Sequence, residues 1–164
     1  MLDADDVYYV FDFENKIKVF EEDLSALDFG VQCQVITKSN SHKEWDSYNW
    51  NLSKMVFEMR ERHEAGMFDA VYLDGAHTFI HNGLAVCLLK ELIKTDGYLI
   101  LDDLFWTFAG SSWGQSVGPS RLTEEQMNDK QIFRVQELFL TADSNFEKLS
   151  SSKDPRGVFR KRQS

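Results

Sequence analysis

The chain of 164 residues has only two cysteines, Cys33 and Cys87, too few for a disulfide framework. Both stand inside apolar patterns and read as buried, reduced thiols. Positive charge is scarce as well: 18 Lys and Arg against 27 Asp and Glu leave a net charge of −9. Nucleic-acid affinity rests largely on Lys and Arg at phosphates, so no nucleic-acid partner is expected. No apolar run approaches the roughly 18 residues of a membrane helix. Met1-Leu2-Asp3-Ala4-Asp5-Asp6 lacks the basic and apolar regions of a secretory signal. The expectations are no membrane partner and a cytoplasmic location. Glycine is the most informative scarcity. There are nine, and none stands in a G-x-G pattern after a strand, which weakens any reading as a Rossmann-type nucleotide binder.

What is present fits one soluble domain over residues 1–164, with hydrophobic residues at 43% and charged residues at 27%. The basic run Arg156, Arg160, Lys161 and Arg162 reads as a solvated last strand and tail. Val7-Tyr8-Tyr9-Val10-Phe11 is β-branched and aromatic, and predicts a buried strand ending at Asp12. A helix over residues 15–29 follows, with Ile17, Phe20, Leu24 and Leu27 on one face and Gly30 as its stop. Val31, Cys33 and Val35 alternate with glutamines, as in a strand with one wet face. A polar stretch, residues 37–47, precedes a helix carrying Leu52, Met55, Val56 and Met59, ended by Gly66. The strand at residues 70–73 leads to a helix over 79–94 with Ile80, Leu84, Leu88 and Leu92 inward. Asp96-Gly97 turns into a strand at residues 98–101. Residues 104–119 form a long loop holding Phe105, Trp106, Phe108 and Trp113, and a loop this long is functional or disordered. A helix with Ile132, Val135, Leu138 and Phe139 on one face and an antiparallel hairpin, 146–149 with 157–159, close the chain. This alternation predicts an α/β fold: a mainly parallel sheet with helices on both faces and a C-terminal antiparallel hairpin.

Two strands end abruptly on carboxylates: Val71-Tyr72-Leu73-Asp74-Gly75-Ala76-His77 and Tyr98-Leu99-Ile100-Leu101-Asp102-Asp103. Ligands bind at the carboxyl rim of an open α/β sheet. Strand-end acids also serve simply as caps of the helices that follow, so the carboxylates carry two readings at this point.

With its terminal hairpin and paired acidic strand ends, the chain resembles the class I S-adenosylmethionine-dependent methyltransferases. Within them it is most similar to the small-molecule O-methyltransferases of the metal-dependent, catechol and macrocin type. Phe68-Asp69-Ala70-Val71-Tyr72-Leu73-Asp74 and Gly97-Tyr98-Leu99-Ile100-Leu101-Asp102-Asp103 carry the resemblance. It implies a Rossmann-like fold, S-adenosylmethionine as cofactor and a small hydroxylated acceptor. It also implies Mg²⁺ or another divalent metal on Asp74, Asp102 and Asp103. Mg²⁺ takes octahedral oxygen coordination from one or two carboxylates plus waters and substrate, and a metal lowers the pKa of a bound hydroxyl. His77 stands where catechol-type relatives carry a Lys base, and an imidazole suits that task near neutrality; His81, a turn further on, would support it. The resemblance also gives Asp12, then Glu14, as ribose ligands, Ser39 and Asn40 as adenine neighbours, and the aromatic loop as a substrate cover.

The same family opens with a strand and a Gly-rich turn that nothing before Val7 matches. The reading favours a chain whose first strand lies upstream. Direct pairing of the two flanking strands, or a strand donated within a homo-oligomer, are the alternatives. A non-catalytic binding or interaction module on the same fold is the second functional reading.

Overall fold

The computed structural model describes residues 6–26, 34–43 and 45–163. The first five residues and the predicted positions Leu27, Gly30, Val31 and Cys33 lie outside them. The chain divides into two compact units, Met1–Lys54 and Met55–Ser164.

In the first unit, β1 (Val7–Phe13) and β2 (Gln34–Asn40) are parallel, with Val7 opposite Gln34 and Phe13 opposite Asn40. α1 (Glu14–Ala26) follows β1 and packs on both strands, burying Ile17. The sequence predicts a buried β1, but Val7, Tyr8 and Phe13 are exposed. Among the described residues β2 is its only hydrogen-bonded neighbour. β2 also runs on through Thr37 to Asn40, where a polar loop is predicted. α2 (Tyr48–Glu61), which from Met55 onward belongs to the second unit, keeps the predicted rhythm, and Leu52, Met55, Val56 and Met59 are all buried. It stops at Glu61 rather than at Gly66. Gly66 lies in the turn beyond, at φ +131°, where an added Cβ would sit 2.7 Å from Lys94 Cα, so only glycine fits there.

The second unit holds a four-stranded sheet in the order β3-β4-β6-β5. Its strands are β3 (Phe68–Leu73), β4 (Ile93–Leu101), β5 (Phe146–Lys148) and β6 (Gly157–Lys161). β3 and β4 are parallel, and β6 is antiparallel to both β4 and β5. Antiparallel pairing thus enters only with the C-terminal hairpin, as predicted. Asp96-Gly97 is an irregularity inside β4 rather than a turn before it, because pairing steps from Phe68–Ile93 to Ala70–Tyr98. Leu92, Ile93, Leu99, Leu101, Ile132, Val135, Leu140 and Phe159 form the core, each almost wholly buried. Full burial of one such aliphatic side chain stabilises by about 1.5–3 kcal/mol.

α3 (Phe79–Leu92) crosses from β3 to β4; Leu92 is buried as predicted, but most of the inward face differs from the predicted one. Its buried residues are Asn82, Gly83, Ala85, Val86, Leu89 and Leu92, whereas Ile80 is 74% and Leu84 51% exposed. The helix packs on β4 and on α6 (Gln131–Gln136). Its small residues allow the approach: a Cβ at Gly83 would lie 3.2 Å from the Phe139 ring. Cys87 faces outward and is exposed, not the buried thiol of the sequence reading.

Residues 104–119 are more ordered than a loop. They contain α4 (Ser112–Val117), followed by α5 (Glu124–Asn128) and α6. After α6 the helix widens over Glu137–Thr141. The wider turn shifts the phase, so Leu140 is buried while the predicted Leu138 is 56% exposed. The basic tail is not simply solvated. Lys161 Nζ donates to the carbonyls of Lys90 and Ile93 at the end of α3, both at 2.8 Å, and burial pushes its ammonium below the usual lysine range. Among the described residues, no helix is long and apolar enough to cross a membrane.

Candidate functional site

The parallel register aligns the carboxyl ends of β3 and β4, with Leu73 opposite Leu101. The pairing runs one step further, since Asp102 N–H donates to Leu73 O at 3.2 Å. The segments leaving the two strands are therefore tied together where the acids begin. From this rim Asp74, His77 and Asp103 converge, with one donor atom of each within 4.8 Å of the others. His77 Nε2 lies 3.4 Å from Asp74 Oδ1 and 3.2 Å from Asp103 Oδ2. That nitrogen is buried and makes a hydrogen bond with neither.

Two of the three side chains are aimed by unusual backbone. His77 and Asp103 both have φ +55°, a left-handed conformation that costs a non-glycine residue about 1–2 kcal/mol. Strained residues of this kind persist where the surroundings over-determine them, often at functional sites. Several contacts do so here. Thr78 caps α3 by accepting from His81 N–H, which fixes the helix start directly after His77. Trp106 lies against the His77 ring, centroids 4.9 Å apart, and Phe108 meets Trp106 edge-on at 4.6 Å. Trp106 N–H in turn donates to Asp103 O at 3.0 Å. Gly114 of α4 anchors this aromatic segment, because a Cβ there would lie 2.2 Å from Phe108 O.

The structure does not bring every expected residue into the cluster. Asp102, expected as a metal ligand, has both carboxylate oxygens accepting hydrogen bonds. Oδ2 accepts from the Tyr72 hydroxyl, and Oδ1 accepts from Asp103 N–H at 2.9 Å. The Asp102 contact pushes the Tyr72 phenol up to about 12. His81, the expected support of His77, has its Nδ1 at 2.7 Å from Thr78 Oγ1. Sequence reasoning missed Tyr72 as a partner. Its only signal was a tyrosine two residues before a strand-end Asp.

In the first unit, Asp12, Glu14, Ser39 and Asn40 gather at the carboxyl ends of β1 and β2, with Asp12 opposite Ser39. Asp12, Glu14 and Ser39 are exposed. Asn40 is buried and its Oδ1 has no hydrogen-bond partner. Asp12 Oδ1 accepts from Phe13 N–H at 2.7 Å, so one of its oxygens is held in a local turn. The sequence did not reveal the flat pair beside them: Phe13 stacks on His42 at 4.5 Å and 16°. His42 Nε2 is 3.0 Å from Asn15 Oδ1, which orients the ring.

No family model and no curated protein matches the chain. Solved structures do. The methyltransferase PaMTH1 of Podospora anserina, solved with SAH bound, is similar over 98% of this chain and 61% of its own, at 17% identity and a TM-score of 0.50. An O-methyltransferase family protein from Burkholderia thailandensis is similar over 95% of this chain and 43% of its own, at 13% identity and a TM-score of 0.50. The chain thus spans about half the length of these structures. Together with the parallel strands, flanking helices and C-terminal antiparallel hairpin, the likeness gives this chain a Rossmann-like fold of the kind seen in these methyltransferase structures.

Proposed function

We propose that the chain is an S-adenosylmethionine-dependent methyltransferase and that it methylates a hydroxyl oxygen of a small molecule with divalent-metal assistance. The observation that carries this reading is the convergence of Asp74, His77 and Asp103 at the strand ends. The SAH bound to the Podospora anserina structure supports the choice of methyl donor.

The donor set fits a divalent cation. Two carboxylates supply hard oxygens. His77 Nε2 is buried and unbonded, and it faces both carboxylates at 3.2 and 3.4 Å. Asp74 and Asp103 would hold the ion, and when bound it would supply Lewis acidity toward the acceptor hydroxyl. His77 takes the hydroxyl proton on Nε2, and the two flanking carboxylates stabilise the imidazolium that results. Trp106 keeps the ring in place, and the neighbouring aromatic segment excludes water from the acceptor. Transfer then needs the oxygen in line with the sulfonium methyl, so positioning supplies much of the rate. Asp12, with Glu14 beside it, would bind the ribose hydroxyls, and Ser39 and Asn40 would border the adenine.

A labelled-methyl transfer assay over small phenols, alcohols and sugars tests the reading. Wild type should yield labelled ether in a chelator-sensitive way. His77→Ala should lower the rate about 10²–10⁴-fold, the range for loss of a general base. Undiminished product from His77→Ala and Asp103→Asn would refute it. A non-catalytic module on the same fold is the second reading, favoured by the absence of any G-x-G among the nine glycines. Donor binding without product over the whole panel would favour it.

A further inference from the structure

Tyr72 stands outside the cluster, yet it begins a chain of contacts that ends there. It is the next-to-last residue of β3, opposite Ile100 of β4. Its hydroxyl donates to Asp102 Oδ2. Asp102 is then fully engaged: Oδ1 accepts from Asp103 N–H at 2.9 Å, and its own N–H donates to Leu73 O at 3.2 Å. Three bonds thus fix Asp102 at the exit of β4. The residue held next is Asp103, whose φ of +55° is a conformation that must be imposed from outside. That same conformation delivers Asp103 Oδ2 to 3.2 Å from His77 Nε2.

We propose that Tyr72 is a positioning residue: through Asp102 it holds the Asp103 backbone left-handed and so sets the Asp103 carboxylate against His77. Its effect on catalysis rests on the function proposed above, whereas its effect on His77 geometry does not. An aspartate alone would accept from the following N–H in several rotamers. The Tyr72 hydroxyl selects one by occupying the other oxygen, and removing that hydroxyl in Tyr72→Phe abolishes the selection without touching the cluster. Tyr72 is half exposed, so its loss leaves no cavity in the core. The length of the arrangement is short, three side chains from one strand end to the next.

The test reads His77 directly. In protein labelled with ¹³C-histidine, four Cε1–H signals are expected, and His77→Gln identifies that of His77. Asp103→Asn should shift this signal. Tyr72→Phe should shift it in the same direction, and Asp102→Ala, the second variant, should do so to a greater extent. With an acceptor in hand, Tyr72→Phe should lower kcat about ten- to a hundredfold, as a small misplacement does, with affinity for S-adenosylhomocysteine unchanged. A His77 signal that moves in Asp103→Asn but stays at its wild-type position in both Tyr72→Phe and Asp102→Ala would overturn the positioning role. A signal that moves as expected in a protein without transfer activity would uphold the positioning role and count against the proposed function instead.

Discussion

His77 and Asp103 are strained residues placed face to face, and neither is held by a bond between them. Their backbone angles, both +55°, are set by neighbours on each side: the Thr78 cap and Trp106 for His77, Asp102 for Asp103. Tyr72 offers a prediction at this scale. Its phenol is raised from 10.0 to about 12, first by the hydrogen bond to Asp102 and then by desolvation. The folded protein therefore binds this proton more tightly than the unfolded chain does. The resulting stability is fully present below pH 10 and is lost as pH rises through about 12. Because Tyr72 is half exposed, solvent screens the effect and its size is small. A tyrosinate absorbance titration should show a late-ionising phase from Tyr72, and Tyr72→Phe should remove that phase. If the late phase survives in Tyr72→Phe, the Tyr72–Asp102 bond does not persist in solution. Asp74 and Asp103 were legible in the sequence because strand-end acids stand out against an apolar run, and His77 was singled out by the resemblance, where relatives carry a Lys. Tyr72 was not. In a strand a tyrosine reads as one more alternating side chain, and only the register with β4 brings its hydroxyl to Asp102.

At the scale of elements, strands and their pairing were more legible than helix faces. The apolar runs of β3 and β4 are short and bounded by acids, so their existence and parallel relation follow from the sequence. α3 is apolar nearly all round, and periodicity could not choose which side faces in. Packing decided it, with Gly83 allowing the close approach to Val135 of α6 and to Phe139 just beyond it. The phase slip after α6 was hidden for a related reason, since a widened turn has no residue signature of its own. The two faces of α3 differ measurably. Leu92→Ala removes a wholly buried side chain and should destabilise by about 2–5 kcal/mol. Ile80→Ala, at 74% exposure, should change stability by less than about 0.5 kcal/mol. Urea unfolding of the two variants separates them, and equal losses would contradict the observed orientation of α3.

For the whole molecule, the fold is shared with two methyltransferase structures whose lengths it spans to 61% and 43%. Sequence identities of 17% and 13% transmit architecture, while function depends on groups grafted onto it. Those groups fall into two sets, one in each compact unit. Asp12, Ser39 and buried Asn40 stand at one pair of strand ends, beside the Phe13–His42 stack. Asp74, His77 and Asp103 stand at the other. Asp12 was legible as a strand end, whereas Ser39 and Asn40 were read in a polar stretch that proves to be the end of β2; the flat aromatic pair was not legible, because His42 follows β2 in a stretch that resembles any surface turn. The chemistry proposed for the second set depends on a methyl donor. Calorimetric titration of the chain with S-adenosylhomocysteine is accordingly the most direct measurement. A saturable, one-to-one heat that weakens in Asp12→Ala is the predicted result. No heat at any concentration up to the millimolar range would contradict the assignment of this chain as a methyltransferase.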